Sequence, residues 1–387
     1  MFPETLAIRT QSPRSANREH SVPLYLTSSF TFDDAEQARA LFAEEIQGAV
    51  YSRYSNPNTD EFVEKLRLLE GAEDGIATAS GMSAVYTALA SLVSAGDHIV
   101  AGRAVFGSTH QLFTRLFPKW DVSHSYVDGD EPAAWEAAIR PDTKVIFVET
   151  PSNPGLDLVD LAALGALAKR HGIPLVVDNC FATPVITQPI RYGASLVVHS
   201  ATKFIDGQGR VLGGAIVGDA RLVAEARFLA RHSGPALAPF NAWVLSKSLE
   251  TLALRMEKHS SNARSVAEAL SAHEAVRAVR YPHLPSHPQY ALAKRQMRWG
   301  GGVLTIDLDS YDAARRLLDG LSLCSHSPNL GDTRTIVTHP SSTTHSKLSD
   351  AERAQVGITP GLIRISVGLE HPDDVLADFR VALASAH

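Results

Sequence analysis

The sequence predicts an α/β protein in which a large domain with a mostly parallel sheet precedes a smaller α+β domain. Between residues 58 and 220, short apolar runs typical of strands alternate with helical segments, and the connections are short. Strand-like and helical runs recur in a second unit after residue 245. The length of 387 residues, of which 44% are hydrophobic, is suited to about two domains.

The first part of the chain contains an arm and the large domain. Residues 1–45 mix polar and proline-containing segments, which predicts an N-terminal arm, and regular structure is expected to begin near Asn58. A helix is predicted from Asn58, with Glu61 three residues later, to Gly71. The rest of the large domain, residues 46–245, alternates helices with the strand-like runs GIATA, HIVAG, KVIFVE, LVVDN, SLVVHS and LGGAIVG.

The second part of the chain, residues 246–387, predicts the smaller domain. One long helical stretch, AWVLSKSLETLALRMEKHSSNARSVAEAL, leads into it. The runs GGVLTIDL, TRTIVTHP and LIRISVGL are strand-like, and DAARRLL and DDVLADFRVAL are helical. This mixture is typical of an α+β unit.

Composition excludes several classes of function. The net charge is −6 and no block of Lys and Arg occurs, so nucleic acid and anionic membranes are not expected as partners. The longest apolar runs have strand length and no leader precedes them, which predicts a cytoplasmic protein. The sixteen histidines and the two cysteines, Cys180 and Cys324, lack metal-ligand spacing, so neither a metal site nor a disulfide is expected.

The segment HSATKF, residues 199–204, combines a lysine with two hydroxyl side chains. A lysine amine can form a Schiff base with an aldehyde cofactor, so Lys203 is the candidate catalytic lysine, although most lysines are surface charges. The hydroxyls of Ser200 and Thr202 are candidates to hold a cofactor phosphate. Asp178 ends the strand-like run LVVDN, where it could pair with a pyridine nitrogen or serve as a helix cap or turn acid.

Two further segments are candidate phosphate sites. Gly81 and Met82 open a helix after a strand, and the free amides of a helix N-terminus attract a phosphate, although an ordinary cap is the alternative. Tyr51 and Arg53 lie in the polar run AVYSRYSNPN, where arginine suits a phosphate and tyrosine adds a neutral donor. A solvated loop is the alternative for this run.

Three other residues are candidates to contact a cofactor ring or a substrate. Phe106, after the strand-like HIVAG, could stack on an aromatic ring or belong to the core. Asn153 lies in the segment ETPSNP. Arg364 is embedded in an apolar strand, which requires an anionic partner, either a ligand carboxylate or an internal salt bridge.

These segments together resemble one known family. The order of these segments is similar to that in the Cys/Met-metabolism family of pyridoxal-phosphate enzymes. The segments are YSRYSNPN, ATASGMSA, FGST, ETPSNP, VVDNCF, HSATKF, NLGDTRT and LIRISVGLE. The resemblance covers nearly the whole chain. It implies an aspartate-aminotransferase-like fold (fold type I), in which residues 46–245 bind pyridoxal 5'-phosphate, and an amino-acid substrate.

The resemblance also implies a role for each candidate residue. Lys203 would hold the cofactor covalently and act as a base, and Asp178 would pair with the pyridine nitrogen. Asn153 would bind the ring hydroxyl, and Arg364 would clamp the substrate carboxylate. The remaining candidates would bind the phosphate: Ser200, Thr202, the amides of Gly81 and Met82, and Tyr51 and Arg53 from the neighbouring subunit. A dimer would then be the smallest active unit, within a homotetramer.

Two residues depart from the family pattern and bear on the reaction. Many members stack a tyrosine on the cofactor ring and bind the substrate carboxylate partly through the serine of an SLG motif, where this chain has Phe106 and Asn329. Tyr51 or Lys203 would then handle the later protons. With FNAWVLSKSLETLALRM and DGQGRVLGGAIVG, these changes resemble members in which sulfide displaces succinate from O-succinylhomoserine to give homocysteine.

Other functions stay open on the sequence. Cystathionine γ-synthase, cystathionine γ-lyase and methionine γ-lyase use the same cofactor groups, so those groups do not distinguish them. The acyl group and the thiol that is used depend on pocket shape. A cofactor-binding regulatory protein without turnover is an alternative from a different class.

Overall fold

The computed structural model describes residues 1–129 and 131–384. The larger of its two sheets has seven strands in the order β1-β7-β6-β5-β4-β2-β3. Their bounds are β1 Asp74–Thr78, β2 His98–Gly102, β3 Ser123–Val127, β4 Thr143–Glu149, β5 Leu175–Asp178, β6 Leu196–Ser200 and β7 Gly214–Gly218. Only β7 runs antiparallel to its neighbours, so the predicted mostly parallel sheet is confirmed.

The central strands are apolar because helices cover both faces of the sheet. Strand β5 is buried along its whole length, and β4 is buried at every residue except Lys144. Two apolar clusters flank the sheet, one on each face. Side chains alternate between the two faces of a sheet, so a strand that is buried on both faces has a continuous apolar sequence. Such apolar runs are the pattern from which these strands were predicted.

Fifteen α-helices occur among the described residues. Their bounds are α1 Pro3–Arg9, α2 Ala35–Phe42, α3 Pro57–Glu70, α4 Gly81–Ala90, α5 Gly107–Gln111, α6 Pro132–Ala138, α7 Leu161–His171, α8 Thr183–Ile186, α9 Ala220–Ser233, α10 Pro239–Leu249, α11 Leu252–Ser271, α12 Tyr290–Gln296, α13 Tyr311–Gly320, α14 Asp350–Gln355 and α15 Pro372–Ala384. A π-helical turn, Leu112–Leu116, continues α5.

The predicted start of α3 is wrong by two residues. The helix is capped by Asn56, whose side chain accepts a hydrogen bond from the Asn58 amide, and Pro57 occupies the first turn. The side chain of Asn58 instead accepts from the Tyr25 amide and donates to the Pro23 carbonyl. The Asn58 side chain, which the sequence predicted as the helix cap, therefore binds the N-terminal arm instead. The predicted end at Gly71 is confirmed by its positive φ of 74°.

Three other predictions of secondary structure differ from the fold. Helices α1 and α2 precede residue 58, so regular structure begins earlier than predicted. The single long helix predicted around residues 242–270 is two helices, α10 and α11, separated at residues 250–251. The sequence reading also missed strand β3 and helix α6; β3 is an edge strand whose SHSYV sequence is mostly polar.

The second sheet is smaller and mostly antiparallel. Its five strands are β8 Ala278–Arg280, β9 Val303–Asp307, β10 Ser325–His326, β11 Ile336–Thr338 and β12 Leu362–Ser366, in the order β10-β11-β12-β9-β8. A separate apolar cluster packs this sheet against α11, α13 and α15. The predicted α+β character is confirmed, while the predicted division at residues 45 and 245 stays a prediction.

The part of the chain that the structure describes contains no helix that is long and apolar enough to cross a membrane. Within residues 1–129 and 131–384, no group of three or more His, Cys, Asp and Glu side chains is arranged to hold a metal ion. The cytoplasmic location stays a prediction.

Candidate active site

The carboxyl ends of β4, β5 and β6 place polar residues along one edge of the large sheet. Glu149 ends β4 and Asp178 ends β5, and the two residues are paired in register. Ser200 ends β6, and Lys203 lies in the turn that follows. Ligands bind at this edge of open α/β sheets. The predicted Lys203 and Asp178 therefore lie at the edge where a cofactor would bind.

Lys203 is a half-buried lysine and not a solvated surface charge. Its Nζ donates a hydrogen bond to Oδ1 of Asn329, 2.6 Å away. Burial is the main cause that lowers the pKa of the amine to about 8, and the positive charge of Arg364 contributes. A lowered pKa increases the fraction of neutral amine near neutral pH, which is the form that attacks an aldehyde.

Asp178 is a buried carboxyl group, with 8% of its surface exposed. Its Oδ1 accepts a hydrogen bond of 3.0 Å from the amide of Cys180, so the turn role considered in the sequence analysis is present. Burial raises the pKa of Asp178, and the hydrogen bonds with Cys180 oppose this shift. A protonated pyridine nitrogen beside this carboxyl group would compensate the buried negative charge.

The start of helix α4 lies directly against Ser200. Ser80 caps the helix with its side chain, so the cap considered as the alternative is present and the amides of Gly81 and Met82 belong to the first turn. A Cβ atom on Gly81 would lie 2.7 Å from Oγ of Ser200, so only glycine allows this approach. The helix N-terminus and a hydroxyl group thus form a cradle that suits a phosphate.

The hydroxyl of Thr202 faces the chain that enters β7. Its Oγ1 accepts a hydrogen bond of 3.1 Å from the Gly213 amide. The Oγ1 atom also lies 3.3 Å from the Gly213 carbonyl oxygen, to which it donates. Thr202 therefore fixes the loop beside Ser200, and its proposed phosphate contact stays a prediction.

Arg364 is a buried cation that donates hydrogen bonds to one side-chain amide oxygen and two backbone carbonyl oxygens. Its Nη1 donates to Oδ1 of Asn153 at 3.0 Å, and Nη2 donates to the carbonyls of Pro328 and Asn329, each at 2.9 Å. Its Nε has no hydrogen-bond partner among residues 1–129 and 131–384, and burial lowers the pKa of the guanidinium to about 10. A buried cation with a free N–H suits a carboxylate ligand better than the internal salt bridge considered above.

Asn329 connects the lysine to the arginine. Its side chain accepts from Lys203, and its carbonyl accepts from Arg364. Two residues later, Gly331 has a φ of 77°, and a Cβ atom there would lie 2.8 Å from the carbonyl carbon of Lys203. The loop that contains Asn329 and Gly331 thus packs so closely against the backbone of Lys203 that a side chain at residue 331 would clash with it.

Phe106 immediately precedes α5 and is half-buried. Its amide donates a hydrogen bond of 2.8 Å to Oε2 of Glu149. The other Glu149 oxygen, Oε1, accepts from the Asn153 amide at 3.1 Å. Phe106 and Asn153 are therefore joined through one carboxyl group, while the stacking of the Phe106 ring on a cofactor stays a prediction.

Tyr51 and Arg53 lie on an exposed segment of the chain. The Tyr51 side chain has 41% of its surface exposed. The Arg53 guanidinium donates to the Arg231 carbonyl and lies 5.3 Å from the Tyr51 ring and 4.8 Å from the Tyr54 ring. These residues are thus on the surface of the subunit, which is compatible with their predicted reach into a neighbouring site.

Comparisons with known proteins identify the family. The model of the family described as "Cys/Met metabolism PLP-dependent enzyme" matches residues 4–384. The chain belongs to this family. It is 47% identical over 383 residues to O-succinylhomoserine sulfhydrylase from Pseudomonas aeruginosa, covering 99% of this chain and 95% of that one. It is 42% identical to L-methionine gamma-lyase from Porphyromonas gingivalis, covering 94% of this chain and 92% of the relative.

A solved structure supports the fold and the cofactor of this Cys/Met-metabolism family member. The putative O-acetylhomoserine (thiol)-lyase from Campylobacter jejuni superposes with a TM-score of 0.96 at 35% identity, and the match covers 100% of both chains. That structure contains N'-pyridoxyl-lysine-5'-monophosphate. The fold is therefore fold type I, the aspartate-aminotransferase-like fold, and the chain is a PLP-dependent enzyme.

Sequence reasoning missed three polar residues at this site. Glu149 ends the apolar run KVIFVE just as Asp178 ends LVVD, and this repeated pattern was the signal that could have identified it. Cys180 accepts a hydrogen bond from the Ser200 amide through Sγ, and burial raises its thiol pKa. The buried His199 is fixed by Glu70 through a 2.8 Å contact between Nε2 and Oε1. The sequence gives no local signal for that contact.

Proposed function

We propose that this PLP-dependent enzyme makes homocysteine from O-succinylhomoserine and sulfide. The observation that carries the proposal is the connection of Lys203 to Arg364 through Asn329, which places an amine of lowered pKa beside a buried cation with a free N–H. An α-amino acid needs both groups, one for its α-proton and one for its carboxylate. The choice of a succinyl substrate is supported by the Pseudomonas aeruginosa relative and by Phe106 and Asn329.

In this proposal each candidate site residue has a defined role. PLP, when bound, withdraws electrons from the substrate α-carbon and so makes the α-proton acidic. Lys203 first holds the cofactor and then takes the α-proton on Nζ, while Arg364 binds the substrate carboxylate and Asn329 assists it. Asp178 pairs with the pyridine nitrogen. Asn153 binds the ring hydroxyl, and Phe106 covers one face of the ring.

The overall exchange takes place at the γ-carbon. The Cγ–O bond breaks and succinate leaves with the electron pair, while hydrosulfide supplies the electrons of the new Cγ–S bond. A proton removed from the β-carbon during the reaction is returned before homocysteine is released. Because Phe106 has no hydroxyl, Lys203 or Tyr51 carries these later protons.

The phosphate site and the assembly are part of the same proposal. Ser200, Thr202 and the amides of Gly81 and Met82 would bind the phosphate from within the subunit. Tyr51 and Arg53 would complete the phosphate site of the neighbouring subunit, because they are exposed on their own subunit. We therefore propose a homotetramer made of two dimers, each dimer being the smallest active unit.

A lyase is the second candidate, favoured by the 42% identity to the L-methionine gamma-lyase from Porphyromonas gingivalis. A product assay on the holoenzyme separates the two. O-Succinylhomoserine with sulfide should give homocysteine and succinate at a higher kcat/KM than O-acetylhomoserine with sulfide, or O-succinylhomoserine with cysteine. Ammonia and 2-oxobutyrate as the main products, from methionine or cystathionine alone, would establish a lyase instead.

A further inference from the structure

Glu149 is a buried carboxyl group to which the proposed reaction gives no task. It has 7% of its surface exposed and is paired in register with Asp178 on the neighbouring strand. Two carboxyl groups placed side by side in a protein interior are costly, because burial and mutual repulsion both disfavour their charged forms. Strand β4 is otherwise mostly apolar, and a hydrophobic residue at position 149 would avoid this cost. The presence of a carboxyl group there therefore requires an explanation.

The two oxygens of Glu149 hold two different segments of the active site. Oε2 accepts from the Phe106 amide at 2.8 Å, just before α5. Oε1 accepts from the Asn153 amide at 3.1 Å, in the loop after β4. Asn153 in turn accepts from Arg364 through its side chain at 3.0 Å. One carboxyl group thus links the residue proposed to cover the ring with the residues proposed to bind the ring hydroxyl and the substrate carboxylate.

We infer that Glu149 is a positioning residue that sets the separation between Phe106 and Asn153, and so the space in which the cofactor ring and the substrate carboxylate are held. A carboxylate suits this task because it offers two acceptor oxygens in a fixed geometry, one for each backbone N–H. Its part in cofactor orientation rests on the PLP dependence of the family and on the proposed ring contacts of Phe106 and Asn153, while its part in substrate binding rests on the proposed function.

The test compares Glu149→Gln with a matched control, Glu61→Gln, in the PLP-bound enzyme. In E149Q the amide oxygen accepts one N–H, but the amide nitrogen is a donor and faces the other N–H. Glu61 is also buried, at 2% exposure, and accepts hydrogen bonds from Ser246 and Ser12, away from the linked segments. It also pairs with Lys65, which keeps a second carboxylate partner in Glu250 when Glu61 is replaced. Glu149→Asp, which keeps the charge but is too short to reach both amides, serves if E149Q does not fold.

We expect the visible circular dichroism of the bound cofactor to fall by about half in E149Q, because the ring is held less firmly. KM for O-succinylhomoserine should rise about tenfold, the equivalent of one hydrogen bond, while KM for sulfide changes less than about twofold. E61Q should lower the melting temperature and leave the dichroism and both KM values unchanged.

A purely structural role would lower the melting temperature of E149Q without changing the dichroism or KM, and that result overturns the inference. The readouts also separate this inference from the proposed function. If the unmodified enzyme does not turn over O-succinylhomoserine, the proposed function fails. The dichroism of the cofactor in E149Q still decides whether Glu149 positions the ring.

Discussion

Nζ of Lys203 donates a 2.6 Å hydrogen bond to the side-chain oxygen of Asn329. The amide of Asn329 therefore lies one hydrogen bond from the amine that is proposed to bond to the cofactor. In the proposed function, bonding of Lys203 to the cofactor would free the Asn329 side chain for the substrate. The loop that contains Asn329 therefore contacts the candidate catalytic lysine at the edge of the large sheet.

Asn329→Ala should weaken binding of the amino-acid substrate. The variant removes the side-chain oxygen but keeps the backbone carbonyl that accepts from Arg364. We expect KM for O-succinylhomoserine to rise about tenfold, with cofactor absorbance unchanged. The control is Asn241→Ala, which removes a half-buried side chain that donates to the Leu212 carbonyl. Equal KM values in the two variants would exclude a substrate role for Asn329.

The pKa of Lys203 predicts how the cofactor-free protein takes up PLP at different pH. Burial lowers the pKa of this amine from its ordinary value of 10.5 to about 8, so the neutral amine increases as pH rises through 8. The rate of cofactor capture, followed by visible absorbance, should rise with pH and level off above about pH 9. A rate that keeps rising to about pH 11 would show an unperturbed lysine.

Arg364 supplies a second check on that pKa. The positive charge of Arg364 contributes to the lowered pKa of Lys203, so Arg364→Met should move the midpoint of cofactor capture to higher pH. The exposed Arg295, which pairs with Asp160, gives a control in Arg295→Met that should leave the midpoint unchanged. An unchanged midpoint in R364M would leave burial as the sole cause of the shift.

Arg364→Lys tests the carboxylate clamp itself. A lysine keeps the charge but cannot donate to Asn153, Asn329 and a carboxylate in the same plane. The loss of one or two hydrogen bonds to a charged group, about 1.5–3 kcal/mol, should lower kcat/KM by roughly ten- to a hundredfold. The expected split is a rise in KM for the amino acid with an unchanged KM for sulfide. A fall in kcat alone would contradict the clamp.

The sequence predicted the strands at the active site because their pattern is local. LVVD and LVVHS are apolar runs that end in polar residues, and burial on both faces of the sheet produces that pattern. Strand β3 was missed since an edge strand needs few apolar residues. The start of α3 was misplaced because the arm, through Tyr25, binds the side chain of Asn58, and no nearby residue signals that contact.

The candidate residues could be selected one by one from the sequence, whereas the contacts between them could not. Asp178 ends strand β5 and Lys203 follows the end of β6, so the local sequence was enough to propose them. The Lys203–Asn329 hydrogen bond joins residues that are 126 positions apart in the sequence. The Glu149 side chain accepts from one amide 43 positions away and from another 4 positions away. The first contact depends on how the two sheets pack together, and the Glu149 contacts depend on how neighbouring strands of the large sheet pair, which residue types and spacing do not specify.

Gly331→Ala should disturb the same junction from the backbone. Gly331 has a φ of 77°, and an added Cβ would lie 2.8 Å from the Lys203 carbonyl carbon. The matched control is Gly71→Ala, because Gly71 has a φ of 74° and nothing within 4 Å of the added Cβ. Both variants pay the strain of positive φ, about 1 kcal/mol. Only G331A should also reduce PLP affinity and kcat, which equilibrium titration with PLP and the homocysteine assay measure. Equal losses in both variants would mean that the loop moves aside without displacing Lys203.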